Sequence, residues 1–258
     1  MSIIEAIILG LVQGLTEFIP VSSSGHLLIV HDLLGSDGGT LAFDVALHVG
    51  TLVALLVFFR RDIVRLAKEL FNQSKDGRLA RLLLLATIPA GLAGLLFGDF
   101  IEDNLRSNAV VAASLAAVGV LMLIAERFAG EADDTDHEVT TKQGMQVGFA
   151  QVLALVPGVS RSGITMTVGV FSGLSRLQAA RFSFLLAIPV IAGSAVGVLI
   201  KGDLGDTSNV AIGAGISAAF ISGIFAIKFM LRVIAKVGLK PFAYYRIALA
   251  VIVLLFLV

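Results

Sequence analysis

The sequence predicts an all-α polytopic membrane protein: six transmembrane helices plus two re-entrant helical hairpins, arranged as an inverted-topology repeat. Three observations predict it. The 258-residue chain is 57% hydrophobic and only 15% charged, with a mean hydropathy of +0.96, whereas soluble domains run near 45–50% apolar and about 25% charged. Apolar segments of spanning length recur six times. Two further apolar segments are interrupted by proline, glycine and serine, and the two interruptions match each other.

The first element, residues 3–34, is apolar but broken at Pro20-Val21-Ser22-Ser23-Ser24-Gly25. Each half is shorter than the ~17–25 residues a helix needs to cross the hydrocarbon core, which suits a hairpin of half-helices. Spans follow at roughly 42–59, 82–98 and 108–126. The second broken element, 144–173, is interrupted at Pro157-Gly158-Val159-Ser160-Arg161-Ser162-Gly163. Spans at roughly 182–200, 210–227 and 241–258 complete the chain. The whole forms one membrane domain, with repeat one over approximately 1–126 and repeat two over approximately 142–258. The N-terminus carries Glu5, Gln13 and Glu17 and no basic start, so it does not read as a signal peptide.

Charge sets the orientation. Fifteen basic residues fall on one side of this plan, in 60–81, 127–143, 174–181 and 228–240; only Arg106 and Lys201 fall on the other. Positive-inside asymmetry makes the fifteen cytoplasmic, so both termini and the mouth of the first hairpin face outward. The acidic stretch 131–138 reads as a solvated cytoplasmic loop. Equal acidic and basic counts, 19 each, argue against a nucleic-acid partner, and the absence of cysteine excludes thiol chemistry and disulfides.

The breaks are repeats. Gly10-x-x-Gln13 … Val21-Ser22-x-Ser24-Gly25 overlays without a gap on Gly148-x-x-Gln151 … Val159-Ser160-x-Ser162-Gly163, at an offset of 138. Three spans lie between the copies. An odd number of crossings inverts the second copy, so the hairpins enter from opposite faces and meet near the midplane.

A break exposes backbone N–H groups at the start of its second half-helix, and the helix dipole adds positive charge there. Two such ends facing each other make an anion site. Arg161 strengthens it: arginine at membrane depth costs about 2.5–3.5 kcal/mol on insertion scales, and its fork suits phosphate best, although a carboxylate would also fit. Serines common to both copies, Ser22 with Ser160 and Ser24 with Ser162, read as caps. The copies differ where Ser23 matches Arg161, Glu17 matches Leu155 and His26 matches Ile164. Ser23, His26 and Glu17 can supply a nucleophile, an acid/base and an activating or metal-holding carboxylate. Each also has a structural alternative: Ser23 as a further cap, Glu17 as acceptor for the hairpin's free N–H groups, His26 as a fixed hydrogen-bonder. Gln13 and Gln151 suit hairpin packing, and Thr165 suits a bond to its own helix. Asp44 and His48 share one helical face, as supporting partners or a self-satisfied pair. His31 and Asp32 lie near the outer mouth and are expected to be solvated.

The chain resembles the undecaprenyl-diphosphate phosphatase, or bacitracin-resistance, family of bacterial inner membranes. The likeness rests on Gln13-Gly-Leu-Thr-Glu17-Phe-Ile-Pro-Val-Ser-Ser-Ser-Gly-His26 and on Pro157-Gly-Val-Ser-Arg-Ser-Gly-Ile-Thr165, with Phe43-Asp-Val-Ala-Leu-His-Val-Gly50 in support. Gln13 stands where the motif takes Glu or Gln, which leaves Glu17 as the indispensable carboxylate. The resemblance implies hydrolysis of a C55 isoprenoid diphosphate to the monophosphate carrier used for envelope polymers. It implies Ser23 as nucleophile, Glu17 and His26 as activating and acid/base partners, and Arg161 as diphosphate clamp. Gln13, Ser22, Ser24, Ser160, Ser162, Gly163 and Thr165 then line the substrate. A divalent cation, Mg²⁺ or Ca²⁺, is implied, with Glu17 as a ligand. The partners are the polyprenyl diphosphate and the lipid bilayer, with room for a homodimer. Two other classes compete: an inverted-repeat secondary transporter or flippase of an organic anion or lipid phosphate, which needs Arg161 but not Ser23, His26 and Glu17 together, and an intramembrane serine protease, whose Gly-x-Ser-Gly site lacks its first glycine at both breaks.

Overall fold

The computed structural model describes residues 1–34, 41–129, 138–201 and 207–258. All but Glu138 of the acidic stretch expected as a solvated loop lies outside the described residues. Among those residues the chain is helical, with no strand: α1 (Ile3–Phe18), α2 (Ser23–Leu34), α3 (Leu41–Phe58), α4 (Arg60–Glu69), α5 (Lys75–Leu105), α6 (Asn108–Ala125), α7 (Thr141–Ala150), α8 (Arg161–Phe171), α9 (Arg176–Lys201), α10 (Asn209–Val237) and α11 (Lys240–Phe256). A 3₁₀ turn, Gln151–Leu155, extends α7.

All six segments expected to span are helices: α3, α5, α6, α9, α10 and α11. By length and apolarity α5, α6, α9 and α10 are long enough to cross a membrane, and a fifth crossing follows if α3 and α4 are one bent unit. The chain is thus a helical membrane protein with four to five candidate spans among the described residues. Large apolar side chains such as Leu95 and Phe256 stand exposed on its surface, at 85% and 76%, as a protein solvated by lipid requires. Several helices outrun the apolar segments that announced them. α10 continues through Lys228, Arg232 and Lys236, and α5 starts at Lys75, because long basic side chains reach the headgroup layer without ending the helix.

One helix was not expected. Residues 60–69 lie in a segment read as a charged loop, yet they form α4, bent 76° from α3. Leu66 is buried and Ile63 half-buried, while Arg61, Arg65 and Lys68 are exposed, the pattern of an amphipathic helix lying along an interface.

Small residues seat the first broken element. A Cβ at Gly10 would strike the Gly215 carbonyl, and one at Gly14 the Ser222 hydroxyl and the Ala219 carbonyl, so α1 lies backbone-to-backbone on α10. In the second broken element Gly148 makes the same kind of approach to the Ala86 carbonyl of α5. Each element therefore docks on a long helix of the other half of the chain. α1 also packs against α2, and α7 against α8. Phe18, at the end of α1, meets Phe184 of α9 edge-on at 5.5 Å. That contact fixes the depth of its neighbour Glu17.

Candidate active site

Each broken element turns on one strained serine. Ser22 has φ +77° and Ser160 φ +71°, the only non-glycine residues at positive φ among those described. Such backbones cost about 1–3 kcal/mol and persist only where surroundings impose them. The same bonds hold both. Gly25 N–H donates to Ser22 Oγ at 3.3 Å and Gly163 N–H to Ser160 Oγ at 3.1 Å. The hydroxyls of Ser22 and Ser24 lie 3.3 Å apart, and those of Ser160 and Ser162 3.2 Å. Ser22 and Ser160 are caps, as the overlay suggested; Ser24 and Ser162 cap nothing and brace the capping hydroxyls instead. Ser162 does more: its hydroxyl donates to the Ile19 carbonyl at 3.3 Å, stitching one break to the other.

Of the residues that differ between the copies, Ser23, Glu17 and Arg161 converge. Ser23 Oγ donates to Glu17 Oε2 at 2.7 Å, and Gln13 Nε2 donates to the same oxygen at 3.0 Å. Arg161 Nη2 donates to Glu17 Oε1 at 2.6 Å. Arg161 Nη1 is held by the Ser183 carbonyl at 3.3 Å, leaving three of its N–H donors for an anion. Glu17 is buried, Ser23 and Arg161 are half-buried, and Ser24 is exposed. The cluster therefore deepens from hydroxyl to carboxylate, and its hydroxyl faces the open side. Thr165 donates to the Arg161 carbonyl at 2.6 Å, as expected, and also shares a 2.7 Å bond with Ser183 Oγ. It supports the arginine's helix from behind.

His26 stands apart from this cluster. Its Nδ1 is 2.7 Å from the Ser22 carbonyl, which can only accept, so Nδ1 carries the proton. Nε2 faces the Tyr245 hydroxyl at 2.7 Å, and the two rings stack at 5.7 Å. His48 comes closer: its Nε2 is 3.5 Å from Glu17 Oε2, while Nδ1 is fixed on the Asp44 carbonyl at 2.8 Å. The Asp44 carboxylate does not pair with His48. It meets His31 at 3.1 Å and Arg106 at 3.3 Å. The expectation that His31 is solvated is therefore corrected: it is only 7% exposed, because α2 folds it onto the acid of α3. Asp32 is exposed, as expected.

The sequence reading missed Ser183, Tyr245 and Arg246, and paired His48 with Asp44 rather than with Glu17. Arg246 carried a usable signal, a lone arginine inside an expected span, the same signal that singled out Arg161.

For a divalent cation, the donors fit in kind. Gln13 Oε1, beside the Glu17 carboxylate, is buried with no hydrogen-bond partner among the described residues. An amide and a carboxylate oxygen are the hard ligands Mg²⁺ and Ca²⁺ take, with phosphate oxygens and water supplying the rest. Among the described residues no three His, Cys, Asp or Glu side chains gather as a ligand set by themselves.

Fold and site define a class: a polytopic helical membrane protein in which two interrupted helical elements bring a serine hydroxyl, a buried carboxylate and a guanidinium together. The family model described as bacitracin resistance protein BacA matches residues 6–252, and the chain belongs to that family. It is 45% identical to the undecaprenyl-diphosphatase of Rubrobacter xylanophilus, across 98% of this chain and 97% of that protein. It is 43% identical to undecaprenyl-diphosphatase 2 of Stutzerimonas stutzeri, across 98% of each. It is 45% identical to the undecaprenyl-diphosphatase of Colwellia psychrerythraea, across the full length of both.

Proposed function

We propose that this protein hydrolyses undecaprenyl diphosphate to undecaprenyl phosphate and inorganic phosphate, renewing the lipid carrier for cell-wall synthesis. One observation carries the reading: Ser23 Oγ donates to one oxygen of Glu17 while Arg161 holds the other, at 2.7 and 2.6 Å. A transporter needs the cation but has no use for a hydroxyl bonded to a buried carboxylate.

In this reading Arg161 and the N–H groups opening α2 and α8 hold the terminal phosphate. Ser23 Oγ attacks its phosphorus and gives its proton to Glu17. The bond to the bridging oxygen breaks, and undecaprenyl phosphate leaves. Water then displaces the serine, releasing inorganic phosphate, as Glu17 returns the proton to Ser23 Oγ. His26 offers Nε2 as acceptor for the water's proton once the Tyr245 hydroxyl swings aside. Gln13 orients Glu17; Ser22, Ser24, Ser160, Ser162, Gly163 and Thr165 shape the two helix starts around the phosphates. A divalent cation, Mg²⁺ or Ca²⁺, would be held by Glu17 and Gln13 Oε1 and would neutralise diphosphate charge.

The same reading places the protein in the bacterial inner membrane with six spans, α1–α2 and α7–α8 as re-entrant hairpins, and repeats at approximately 1–126 and 142–258. The first hairpin opens to the periplasm and both termini lie outside. The fifteen-to-two split of basic residues, the matched strain at Ser22 and Ser160, and the crosswise docking of α1 on α10 and α7 on α5 support it. The test is phosphate release from undecaprenyl diphosphate by purified protein, with and without chelator. Absence of release in every cation tried would end the proposal.

A further inference from the structure

Arg246 of α11 is fully buried and, among the described residues, meets no carboxylate. Its acceptors are five backbone carbonyls. Nη1 donates to Pro20 at 3.3 Å; Nη2 donates to Gly158 at 2.8 Å, Val159 at 3.0 Å and Ser114 at 3.3 Å; Nε donates to Leu115 at 3.3 Å. Pro20 belongs to the first break and Gly158 to the second, and they are separated by 138 residues, the offset of the repeat overlay. One guanidinium thus holds the equivalent carbonyl of each break and ties both to α6.

The chemistry explains why this is an arginine. The break carbonyls it meets, of Pro20, Gly158 and Val159, lie in the turns beyond the ends of α1 and of the 3₁₀ turn, where no helix supplies an N–H partner. Neither water nor lipid can meet them there. A planar fork of five donors satisfies several carbonyls in fixed directions; an ammonium on a flexible stem does not. Gly158 itself has φ +89°, and a Cβ there would lie 2.6 Å from the Val111 carbonyl of α6, so this break is pressed against α6 at the level where Arg246 grips it.

We propose that Arg246 is a positioning residue that holds the two breaks in register, so that Ser23 on one and Arg161 on the other face a single phosphate. It acts through the backbone and touches neither reacting atom. The proposal rests on the hydrolytic reading for its kinetic test but not for its structural one. The chain has no cysteine, so spin labels can be placed at Leu33→Cys on α2 and Leu153→Cys before the second break, both exposed. The parent should give one narrow distance distribution by pulsed electron spin resonance. Arg246→Met should broaden or shift it, and Arg246→Lys should do so less. In the label-free proteins, Arg246→Lys should lower kcat/KM on the order of a hundredfold, the scale of an ångström's misplacement, with KM raised as well as kcat lowered per folded molecule. Methylguanidinium should restore part of the lost turnover to Arg246→Ala, and methylammonium should not. A merely structural arginine would lower the melting temperature and leave distances, KM and kcat per folded molecule unchanged; that result, in the lysine variant alone if the others do not fold, overturns the proposal. If the parent shows no hydrolysis, the functional reading fails while the distance measurement still decides the role of Arg246.

Discussion

Replacing Glu17 by glutamine separates chemistry from binding. The carboxylate is 7% exposed and accepts from Arg161, Ser23 and Gln13 at 2.6, 2.7 and 3.0 Å. Glutamine keeps the shape but has one acceptor oxygen. If that oxygen faces Arg161, the new NH₂ meets the donors Ser23 and Gln13; if it faces them, the NH₂ meets a guanidinium. Either way Arg161 loses its counter-charge. Breaking a buried pair on one side costs about 3–5 kcal/mol, so Glu17→Gln should be markedly less stable without ligand. The freed guanidinium should hold phosphate at least as tightly as the parent does, because no carboxylate competes for it. Turnover should fall by about 10²–10⁴, the usual loss when a positioned base is removed. Calorimetric titration with inorganic pyrophosphate gives the first quantity, and phosphate release from folded, detergent-purified protein gives the second. Parental turnover in Glu17→Gln would refute the base. Turnover lost only in proportion to weaker, chelator-insensitive binding would show that the carboxylate holds a cation and takes no proton.

Gln151→Met should stabilise the protein by about 1–3 kcal/mol, the penalty of an unmet buried polar group, because both amide atoms of Gln151 are buried without partners among the described residues; a lower melting temperature would count against it. Asp103→Cys and Gln73→Cys, both exposed, test orientation: an impermeant thiol reagent should label the first in intact cells and the second only after the inner membrane is opened, and the reverse pattern would invert the topology.

What the sequence made legible was whatever membrane physics writes locally. Six helices lie where apolar runs of spanning length put them, and both breaks lie where Pro, Gly and Ser interrupt such a run. The overlay even separated Ser22 and Ser160, the strained caps, from Ser23, which bonds to Glu17. The charged segment 60–69 hid a helix, since an interfacial helix is recognised by periodicity rather than hydropathy, and the loop reading weighed only its charges. Residues whose roles depend on distant contacts stayed dark. His48 reaches Glu17 across 31 positions of chain. His31 looked solvated because it sits near a mouth, and only the packing of α2 on α3 shows that Asp44 receives it. Arg246 serves the break carbonyls, and no side-chain motif records an unpaired carbonyl.

The three consecutive serines let the covalent mechanism be tested against its own neighbours. Ser22 Oγ caps α2 through Gly25 N–H, and losing a cap costs about 1 kcal/mol. Ser22→Ala should therefore be less stable and still active. Ser22→Gly loses the same cap but relaxes the backbone at φ +77°, so it should melt higher than Ser22→Ala. Ser24→Ala loses only a 3.3 Å contact between hydroxyls and should be the mildest of the set. Ser23→Ala removes the hydroxyl bonded to Glu17 and no cap; it should fold, bind pyrophosphate like the parent, and lose turnover by several orders of magnitude, as removal of an activated nucleophile does. The order of stability and the order of activity should thus run differently across the same three positions. If Ser23→Ala keeps its turnover in folded protein, a water activated by Glu17 must carry the attack, and Ser23 is only a hydrogen-bond donor that holds Glu17 in place.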